Sequence, residues 1–534
     1  MSLIAAPIFI DGTDSVSHAL ERAKQAASAG ARIIEWRVDQ LAHEPGGAAA
    51  TRRLIRESPA PCIVTCRSAE EGGAYEGDET ARLDLYQAII DSDEHPRYLD
   101  MEFNAVSREP RWHDLLARLA KRNAGTDSPI GLILSSHDFE RRPTDLIQRI
   151  EAMHREPAAS VVKIAWRARS LRDNLEAFDL LSHRSLPMIA LCMGPFGMMS
   201  RVLAPKFGGL LTFAADAEGG ETAPGQPTID ALRLLYRFDS ISAQTKTYGV
   251  IGWPVEHSLS PVIHNAGFRA VEHDGVYLPL PIPPEYEHFK ATVSSLVDHS
   301  LLDFRGASVT LPHKENLIRF VRERSGTVDP LAERIGAANT LIVREDGSLE
   351  CSNTDCAAAM EPLIAAVNER GEEMNRKTLA ILGAGGVARA VAVGASRLGA
   401  DISIFNRTRE RAESLARNIG ASLRAGTLHE LASKRFDIII NCTSVGMTGG
   451  FNPEDVPLNL QAESIDSTTI VFETIYSPEE TPLVKLARSR GAKVITGKRM
   501  FLRQAAMQFK LWTGIEAPMN VFERVVEPAT AGNG

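Results

Sequence analysis

The sequence predicts an α/β chain with an N-terminal (β/α)8 barrel, followed by a two-lobed α/β region whose second lobe is a doubly wound sheet. Three observations predict it. Eight short, β-branched runs alternate with amphipathic helical stretches over roughly the first 235 residues. Polar residues return to the ends of these runs at the spacing of one βα unit. Beyond a polar break near residue 243, a glycine-rich turn stands between a strand and a helix.

The runs in order are Leu3–Ile10, Arg32–Arg37, Cys62–Cys66, Tyr98–Glu102, Gly131–Ser136, Val161–Ala165, Met188–Cys192 and Gly209–Thr212. Their number and total length fit a closed barrel. Arg37, Arg67, Glu102, His137 and Lys163 each fall at or near the end of a different run, separated by 30, 35, 35 and 26 residues. In a closed barrel such positions converge on the C-terminal mouth, where barrel chemistry is built. A helix-like segment, Thr228–Phe238, leads into the polar stretch Ser240–Lys246, which reads as a linker. Thr247–Ile251 opens a second α/β region and Thr378–Leu382 a third. Gly383-Ala384-Gly385-Gly386-Val387-Ala388 follows the latter directly, then a helix and the strand Asp401–Phe405. Met500–Trp512 reads as a strong helix and Pro528–Gly534 as a frayed end. The expected domains are 1–239 and 247–350, joined by the linker 240–246, then 351–496, a returning C-terminal helix 497–522, and a tail 523–534.

Composition narrows the function class. The chain has 534 residues, 44% hydrophobic and 24% charged, which is ordinary for folded domains. The 59 basic and 68 acidic residues leave a net charge of −9, which argues against nucleic acid or an anionic membrane as the main partner. No apolar run approaches the roughly 18 residues needed to span a bilayer. The N-terminus lacks a basic region and reads as a strand, so neither a signal nor a transit peptide is expected. Six cysteines without zinc spacing read as reduced, packed thiols. The expectation is a cytoplasmic, metal-independent protein, a monomer or small homo-oligomer acting on small molecules.

Lys163 stands within Val161-Val162-Lys163-Ile164-Ala165, a run otherwise apolar. A lysine in a barrel core must lose its proton, find a carboxylate, or react, and a neutral amine attacks a ketone to form a Schiff base. His137, in Ser135-Ser136-His137-Asp138-Phe139, suits proton transfer near neutrality. Arg37, Arg67 and Arg201 offer planar forks for a carboxylate, with Glu35, Glu71 and Glu102 as neutralising partners. Together these residues describe an anionic keto-substrate clamped beside an imine-forming lysine.

The motifs Glu35-Trp36-Arg37-Val38-Asp39, Cys66-Arg67-Ser68-Ala69-Glu70-Glu71-Gly72-Gly73, Asp100-Met101-Glu102, Ser136-His137-Asp138-Phe139, Lys163-Ile164-Ala165 and Ala223-Pro224-Gly225-Gln226 resemble type I 3-dehydroquinate dehydratase. The resemblance implies an imine between Lys163 and the C3 ketone of 3-dehydroquinate. It makes His137 the base for the C2 proton and the acid for the departing C1 hydroxyl, oriented by Glu71. Glu35, Arg37, Arg67, Arg201, Thr222 and Gln226 would hold substrate. Thr222 stands where that family usually has serine.

In the second half, Gly383-x-Gly385-x-x-Ala388 between strand and helix meets the dinucleotide fingerprint in its required context, a Rossmann turn. The next strand ends Phe405-Asn406-Arg407-Thr408, without the acid that would bond a ribose 2′-hydroxyl and with Arg409 and Arg411 nearby, which favours NADP. Ser258-Leu259-Ser260-Pro261 offers two hydroxyls to a carboxylate. Lys314 and Asp355 form a credible proton relay for an alcohol–ketone interconversion. This set is similar to shikimate dehydrogenase. The resemblance implies Ser258 and Ser260 on the substrate carboxylate, Thr310, Asn339, Tyr476 and Gln504 on ring hydroxyls, and Lys314 with Asp355 as catalytic dyad. It implies an NADPH site of Gly383, Ala384, Gly385, Gly386, Val387, Asn406, Arg407, Thr408, Arg411, Thr474 and Gly497. Ser308 and Glu473 replace the asparagine and aspartate common in that family. The order of the halves resembles the fused enzymes of the plant shikimate pathway. A quinate-preferring dehydrogenase and a non-catalytic sensor are the alternatives; the intact Ser260 and the retained lysines oppose them.

Overall fold

The structure is a computed structural model, which describes residues 2–217, 219–420, 423–448 and 452–531. The chain divides into two compact units, Met1–Thr245 with Asp298–Asp303, and Lys246–Val297 with Phe304–Gly534. Among the described residues no helix is long and apolar enough to cross a membrane.

The first unit carries β1 (Leu3–Phe9), β2 (Ile33–Arg37), β3 (Cys62–Thr65), β4 (Tyr98–Glu102), β5 (Gly131–Asp138), β6 (Ala159–Arg167), β7 (Met188–Met193) and β8 (Leu211–Phe213). They pair in parallel in the order β7-β6-β5-β4-β3-β2-β1-β8, a nearly closed barrel. Beside the remaining seam the Leu210 N–H donates to the Met188 carbonyl at 2.9 Å. Because strand side chains alternate, every second residue enters the barrel. Ala5, Ile33, Ile63, Ile133, Val161, Ile189, Leu191, Leu211 and Phe213 close its floor as one apolar cluster. Two residues further along β2, β5 and β6, the same face carries Glu35, Ser135 and Lys163. Period-two alternation therefore lifts the polar groups one layer above an apolar floor.

The second unit holds two sheets. In the first, β9 (Lys246–Gly252), β10 (Gly275–Pro281), β11 (Phe304–Val309), β12 (Thr327–Val328), β13 (Thr340–Val343) and β14 (Leu349–Ser352) run in the order β10-β9-β11-β13-β14-β12. In the second, β15 (Thr378–Leu382), β16 (Asp401–Phe405), β17 (Leu423–Ala425), β18 (Ile438–Asn441), β19 (Ile470–Glu473) and β20 (Lys493–Ile495) run β17-β16-β15-β18-β19-β20, parallel throughout. In local numbering this is 3-2-1-4-5-6, the Rossmann order, with its switch point between β15 and β18. Its strands are apolar on both faces: Leu379, Ile381, Ile438 and Ile440 join one core, while Ala380, Leu382 and Ile439 join another. Helices on both sides require that pattern.

Three expectations need correction. Thr228–Phe238 is not a regular helix but a five-residue π-helical turn, Ala231–Leu235, followed by a 3₁₀ turn at Phe238–Ser240. The polar stretch Ser240–Lys246 is tied down rather than loose, for Lys206 Nζ donates to the carbonyls of Ala243 and Thr245, each at 2.8 Å; Lys246 already belongs to β9. The expected tail from 523 is helical through Met519–Ala531. Phe522 and Val526 are fully buried against Phe268 and Phe509, since an apolar face at helical spacing closes the core above β9 and β10. The last residues, 532–534, lie outside the described residues.

Truncating a buried phenylalanine typically costs about 3–5 kcal/mol. Phe522→Ala in the full chain should lower hydrogen-exchange protection in β9–β11 and leave β1–β8 unchanged. Unchanged protection in β9–β11 would mean the terminal helix contributes nothing to that core.

Candidate active site

All nine first-half residues expected at a site line one cavity at the C-terminal mouth of the barrel: Glu35, Arg37, Arg67, Glu71, His137, Lys163, Arg201, Thr222 and Gln226. Lys163 is buried and its Nζ donates to Asp100 Oδ2 at 2.8 Å, with Glu35 Oε1 at 3.6 Å and the Phe213 ring centroid at 4.4 Å. Asp100 also accepts from Arg67 at 2.8 Å and from the Ser135 hydroxyl at 2.5 Å. Burial alone would raise the Asp100 carboxyl; Arg67 and Lys163 overcome it and hold the group well below the carboxylate range. Asp100 was legible as part of Asp100-Met101-Glu102 and lies two residues before Glu102 on the same inward face. It is a site residue that sequence reasoning did not single out.

His137 lies past the expected strand end, because β5 continues to Asp138. Its backbone N–H donates to Glu71 Oε2 at 2.9 Å, and its Nδ1 lies 3.0 Å from the same oxygen. Asn104 Nδ2 donates to the other Glu71 oxygen at 3.1 Å. Burial, then the charges of Arg67 and Lys163, push the imidazole well below its ordinary value. Burial, then Glu102, push the Glu71 carboxyl up to about 8, against Arg67 and the His137 N–H. The shift favours an uncharged imidazole, and where ionised Glu71 accepts from Nδ1–H the other ring nitrogen is left as the base.

The arginines pair differently from expectation. Arg37 pairs with Asp39 at 2.7 Å, and Arg67 reaches Asp100 and, less closely, Glu102 and Glu71. Among the described residues Glu35 pairs with no arginine, and it accepts from the Thr65 hydroxyl at 2.8 Å instead. Arg201 is buried and has no ion pair among the described residues; its Nε meets no acceptor, and burial pushes it down to about 10. Gln226 Oε1 accepts from Thr222 N and Oγ1 at 2.8 and 3.1 Å, while its Nε2 meets no acceptor. A buried guanidinium and a buried amide donor left open in one cavity are complementary to a carboxylate or hydroxyl.

In the second unit Lys314, Asp355, Asn339 and the glycine turn come together. Lys314 and Asp355 are each the first residue of a helix, Lys314–Glu323 and Asp355–Asn368, and Lys314 Nζ donates to Asp355 Oδ2 at 2.5 Å. The hairpin β13–β14 pairs Thr340 with Ser352, which sets Asn339 beside the start of the second helix. Asn339 Nδ2 donates to Asp355 Oδ1 at 3.0 Å. Ser258 Oγ accepts from the Ser260 N–H at 3.3 Å, and the Tyr476 hydroxyl bonds Ser258. The Thr310 N–H donates to Ile251 O at 2.8 Å, holding Thr310 beside the end of β9. Gln504, in the helix Gly497–Thr513, donates to its own helix at Phe501 O at 3.1 Å and shows no bond to the other expected residues.

Gly383 directly follows β15 with φ +112°, and a Cβ there would lie 2.9 Å from the Cys442 carbonyl that follows β18, so the turn sits at the switch point. Ala384 and Gly385 complete the turn. Gly386 and Val387 open a 12-residue helix without a side-chain cap, so its first N–H groups remain for an anion. A Cβ on Gly386 would meet Lys314 Cδ at 2.8 Å, which brings this turn against the Lys314–Asp355 pair. Gly383 N–H donates to Phe405 O at 2.7 Å, aligning Asn406 with the turn. Asn406 Nδ2 donates to Thr408 O at 2.8 Å, and Thr408 precedes the helix Arg409–Ile419. Arg407 and Arg411 are exposed and pair with no carboxylate among the described residues, whereas Arg409 pairs with Glu413 at 2.9 Å. Thr474 Oγ1 donates to Asn441 O at 2.7 Å, and Gly497 packs against the Thr474 and Ile475 carbonyls. Open helix N–H groups and two unpaired guanidiniums fit a phosphorylated dinucleotide. Glu473 is buried, accepting from Asn441 Nδ2 at 2.9 Å, Ile475 N at 3.0 Å and Thr481 Oγ1 at 2.8 Å; burial pushes its carboxyl up to about 7. It pins together the loops after β18 and β19.

Family models match in the same order along the chain. Type I 3-dehydroquinase matches residues 8–243, and the shikimate dehydrogenase substrate binding domain matches 250–341. Shikimate / quinate 5-dehydrogenase matches 365–449 and the shikimate 5'-dehydrogenase C-terminal domain 497–527. A bifunctional 3-dehydroquinate dehydratase/shikimate dehydrogenase of Arabidopsis thaliana, named chloroplastic, is 35% identical over 537 residues, covering 98% of this chain and 84% of that protein. A shikimate dehydrogenase (NADP(+)) of Methanocella arvoryzae is 41% identical over 287 residues, covering 53% of this chain and 98% of its own. A solved shikimate dehydrogenase from Aquifex aeolicus, 35% identical, covers 53% of this chain and 98% of its own with a TM-score of 0.47.

In an NMR titration the His137 ring should stay unprotonated from pH 8 down to 6.5, because burial and two neighbouring cations oppose its charging. A ring that protonates above pH 7 would contradict the electrostatics of this cavity.

Proposed function

The chain belongs to the bifunctional 3-dehydroquinate dehydratase/shikimate dehydrogenase family, and from that premise we propose that its two reactions run on the two residue sets gathered above. The first half is a type I 3-dehydroquinase, a lyase, and the second an NADP-dependent shikimate dehydrogenase, an oxidoreductase.

In the barrel, 3-dehydroquinate sets its carboxylate on Arg201 and its hydroxyls on Glu35, Arg37, Arg67, Thr222 and Gln226. Lys163 gives up a proton to His137, its neutral amine adds to the C3 carbonyl carbon, and the carbinolamine loses the former carbonyl oxygen as water, with the proton His137 returns, to give the iminium. The iminium draws electrons from the C2–H bond, and neutral His137 takes that proton. The C2 electron pair then expels the C1 hydroxyl, which leaves as water with the proton His137 returns. A further water hydrolyses the imine, releasing 3-dehydroshikimate and restoring Lys163. Glu71 holds the imidazole throughout, and Asp100 remains the counter-charge beside Lys163. The observation that carries this reading is the conjunction, in one cavity, of a buried lysine, a histidine anchored to Glu71 and a buried arginine without a carboxylate among the described residues.

In the second half, Ser258 and Ser260 bond the carboxylate of 3-dehydroshikimate, and Thr310, Tyr476 and Gln504 bond ring oxygens, while Asn339, expected there as well, gives its amide to Asp355 and Thr354. NADPH, when bound, supplies the hydride. Lys314 delivers a proton to the carbonyl oxygen as it becomes the shikimate hydroxyl, and Asp355 orients the ammonium. Gly383, Ala384, Gly385, Gly386 and Val387 cradle the pyrophosphate. Arg407 and Arg411 take the 2′-phosphate beside Asn406 and Thr408, and Thr474 with Gly497 borders the nicotinamide end. The intact Ser260 supports shikimate over quinate as substrate. We read the compartment as reducing and cytoplasmic, from six free cysteines, and the enzyme as a monomer or small homo-oligomer that needs no metal.

Borohydride added with 3-dehydroquinate should trap a covalent adduct on Lys163, and Lys163→Ala should abolish dehydration while shikimate oxidation persists. A variant that dehydrates at the wild-type rate would sink the assignment. A charge-assisted bond from Arg407 to the 2′-phosphate is worth about tenfold to hundredfold in affinity. Arg407→Ala should therefore raise the KM for NADP by that factor and leave the KM for NAD nearly unchanged. Equal effects on both cofactors would make Arg407 structural.

A further inference from the structure

Behind the Lys314–Asp355 pair, a buried chain of hydrogen bonds runs in one direction through four elements. The Tyr277 hydroxyl donates to Ser308 Oγ at 2.7 Å, and the Ser308 hydroxyl donates to Gln508 Oε1 at 2.7 Å. Gln508 Nε2 donates to the Asn339 carbonyl at 2.9 Å and to Thr340 Oγ1 at 3.1 Å. Thr340 Oγ1 donates to Asn339 Oδ1 at 2.9 Å, and Asn339 Nδ2 donates to Asp355 at 3.0 Å. Tyr277, Ser308, Gln508, Thr340 and Asn339 are all buried.

The polarity of this chain is forced. The Asn339 main-chain carbonyl only accepts, so the Gln508 amide must turn its NH2 there and its oxygen to Ser308. Ser308 then spends its one proton on Gln508 and must accept from Tyr277. Thr340 accepts from Gln508, so its proton goes to Asn339 Oδ1, a task shared with the Thr354 N–H at 2.9 Å. With Oδ1 occupied, Asn339 presents its NH2 to Asp355. A flipped amide would set one acceptor against another at the carboxylate that holds Lys314. Gln508 thus braces the Asn339 carbonyl, which also accepts from the Val309 N–H at 2.8 Å, and, through Thr340, the Asn339 side chain.

We infer that Gln508, seated by Ser308, is a positioning residue for the reduction: it sets the Asn339 amide that orients Asp355, and so the aim of Lys314. This rests on Lys314 and Asp355 carrying that reaction. Gln508 touches neither substrate nor cofactor in this account. It lies one helical turn beyond Gln504, on the same face of the helix Gly497–Thr513.

The test is steady-state shikimate oxidation by full-length variants, with NADP affinity measured by fluorescence titration as the check on folding of the second unit. Gln508→Leu should lower kcat about fivefold to tenfold, with the KM for shikimate changed less than threefold and NADP affinity unchanged. Ser308→Ala should lower kcat about threefold, and Ser308→Thr, which keeps the hydroxyl, should restore it. If Gln508→Leu loses NADP binding through misfolding, the Ser308 pair decides alone. Wild-type kcat in Ser308→Ala, or a loss confined to KM, would overturn the inference. Lys314→Ala separates the two failures: full activity there would remove the dyad itself, whereas an inactive Lys314→Ala beside an unaffected Gln508→Leu would remove only the positioning role.

Discussion

Lys163 occupies an inward position of β6, one step above an apolar floor, where an ammonium must be answered by opposite charge or lose its own. Much of the barrel mouth is arranged around that requirement. Asp100 meets the ammonium, and Arg67 then serves Asp100. Glu102 and Glu71 meet Arg67, and Arg82 joins Glu102 from behind at 3.2 Å. Each charge added to satisfy one neighbour creates a demand on the next, so the network extends outward until it reaches half-buried side chains. Within it, Arg201 is the exception. It has no carboxylate among the described residues, and a buried guanidinium in that state is a standing site for an anion. The same crowding acts on His137, whose imidazole is held well below its ordinary value by burial first and then by the cations Arg67 and Lys163.

The second unit solves a smaller version of the same problem with helix starts. Lys314 and Asp355 each begin a helix, and the carboxylate gains from the partial positive charge there. Asn339 supplies the remaining donor to Asp355, and the hairpin register brings it within reach. Neutral amides and hydroxyls do here what charged side chains do in the barrel. The dyad therefore depends on the direction of hydrogen bonds as much as on charge.

Much of this was legible in the sequence because it rests on period and spacing. All eight barrel strands lie within three residues of their expected bounds at each end, since alternation and βα spacing are local signals. The glycine turn and its strand were placed for the same reason. What escaped was non-local. Asp100 was hidden because an acid two residues before Glu102 looks like any other until the barrel shows which strand it faces. The pairing of Arg37 with Asp39 instead of a glutamate depended on loop geometry. Gln508 gave no signal, as its partners lie 168 to 200 residues away in sequence. The helical ending was misjudged because alanines and a proline near the terminus resemble a tail, whereas Phe522 and Val526 draw the segment onto the core. The family departures are also resolved locally: Thr222 keeps its bond to Gln226, Ser308 bridges two buried side chains, and Glu473 accepts three kinds of donor.

The central claim is that each unit carries a complete site and that neither reaction borrows residues from the other. Complementation in trans tests it most directly. Full-length Lys163→Ala and full-length Lys314→Ala, each unable to complete the sequence alone, are mixed and given 3-dehydroquinate with NADPH. NADPH should be consumed steadily and shikimate should form after a lag set by the pool of free 3-dehydroshikimate. A mixture that accumulates no shikimate because replacing a residue of one unit has also silenced the other unit's reaction would contradict that claim.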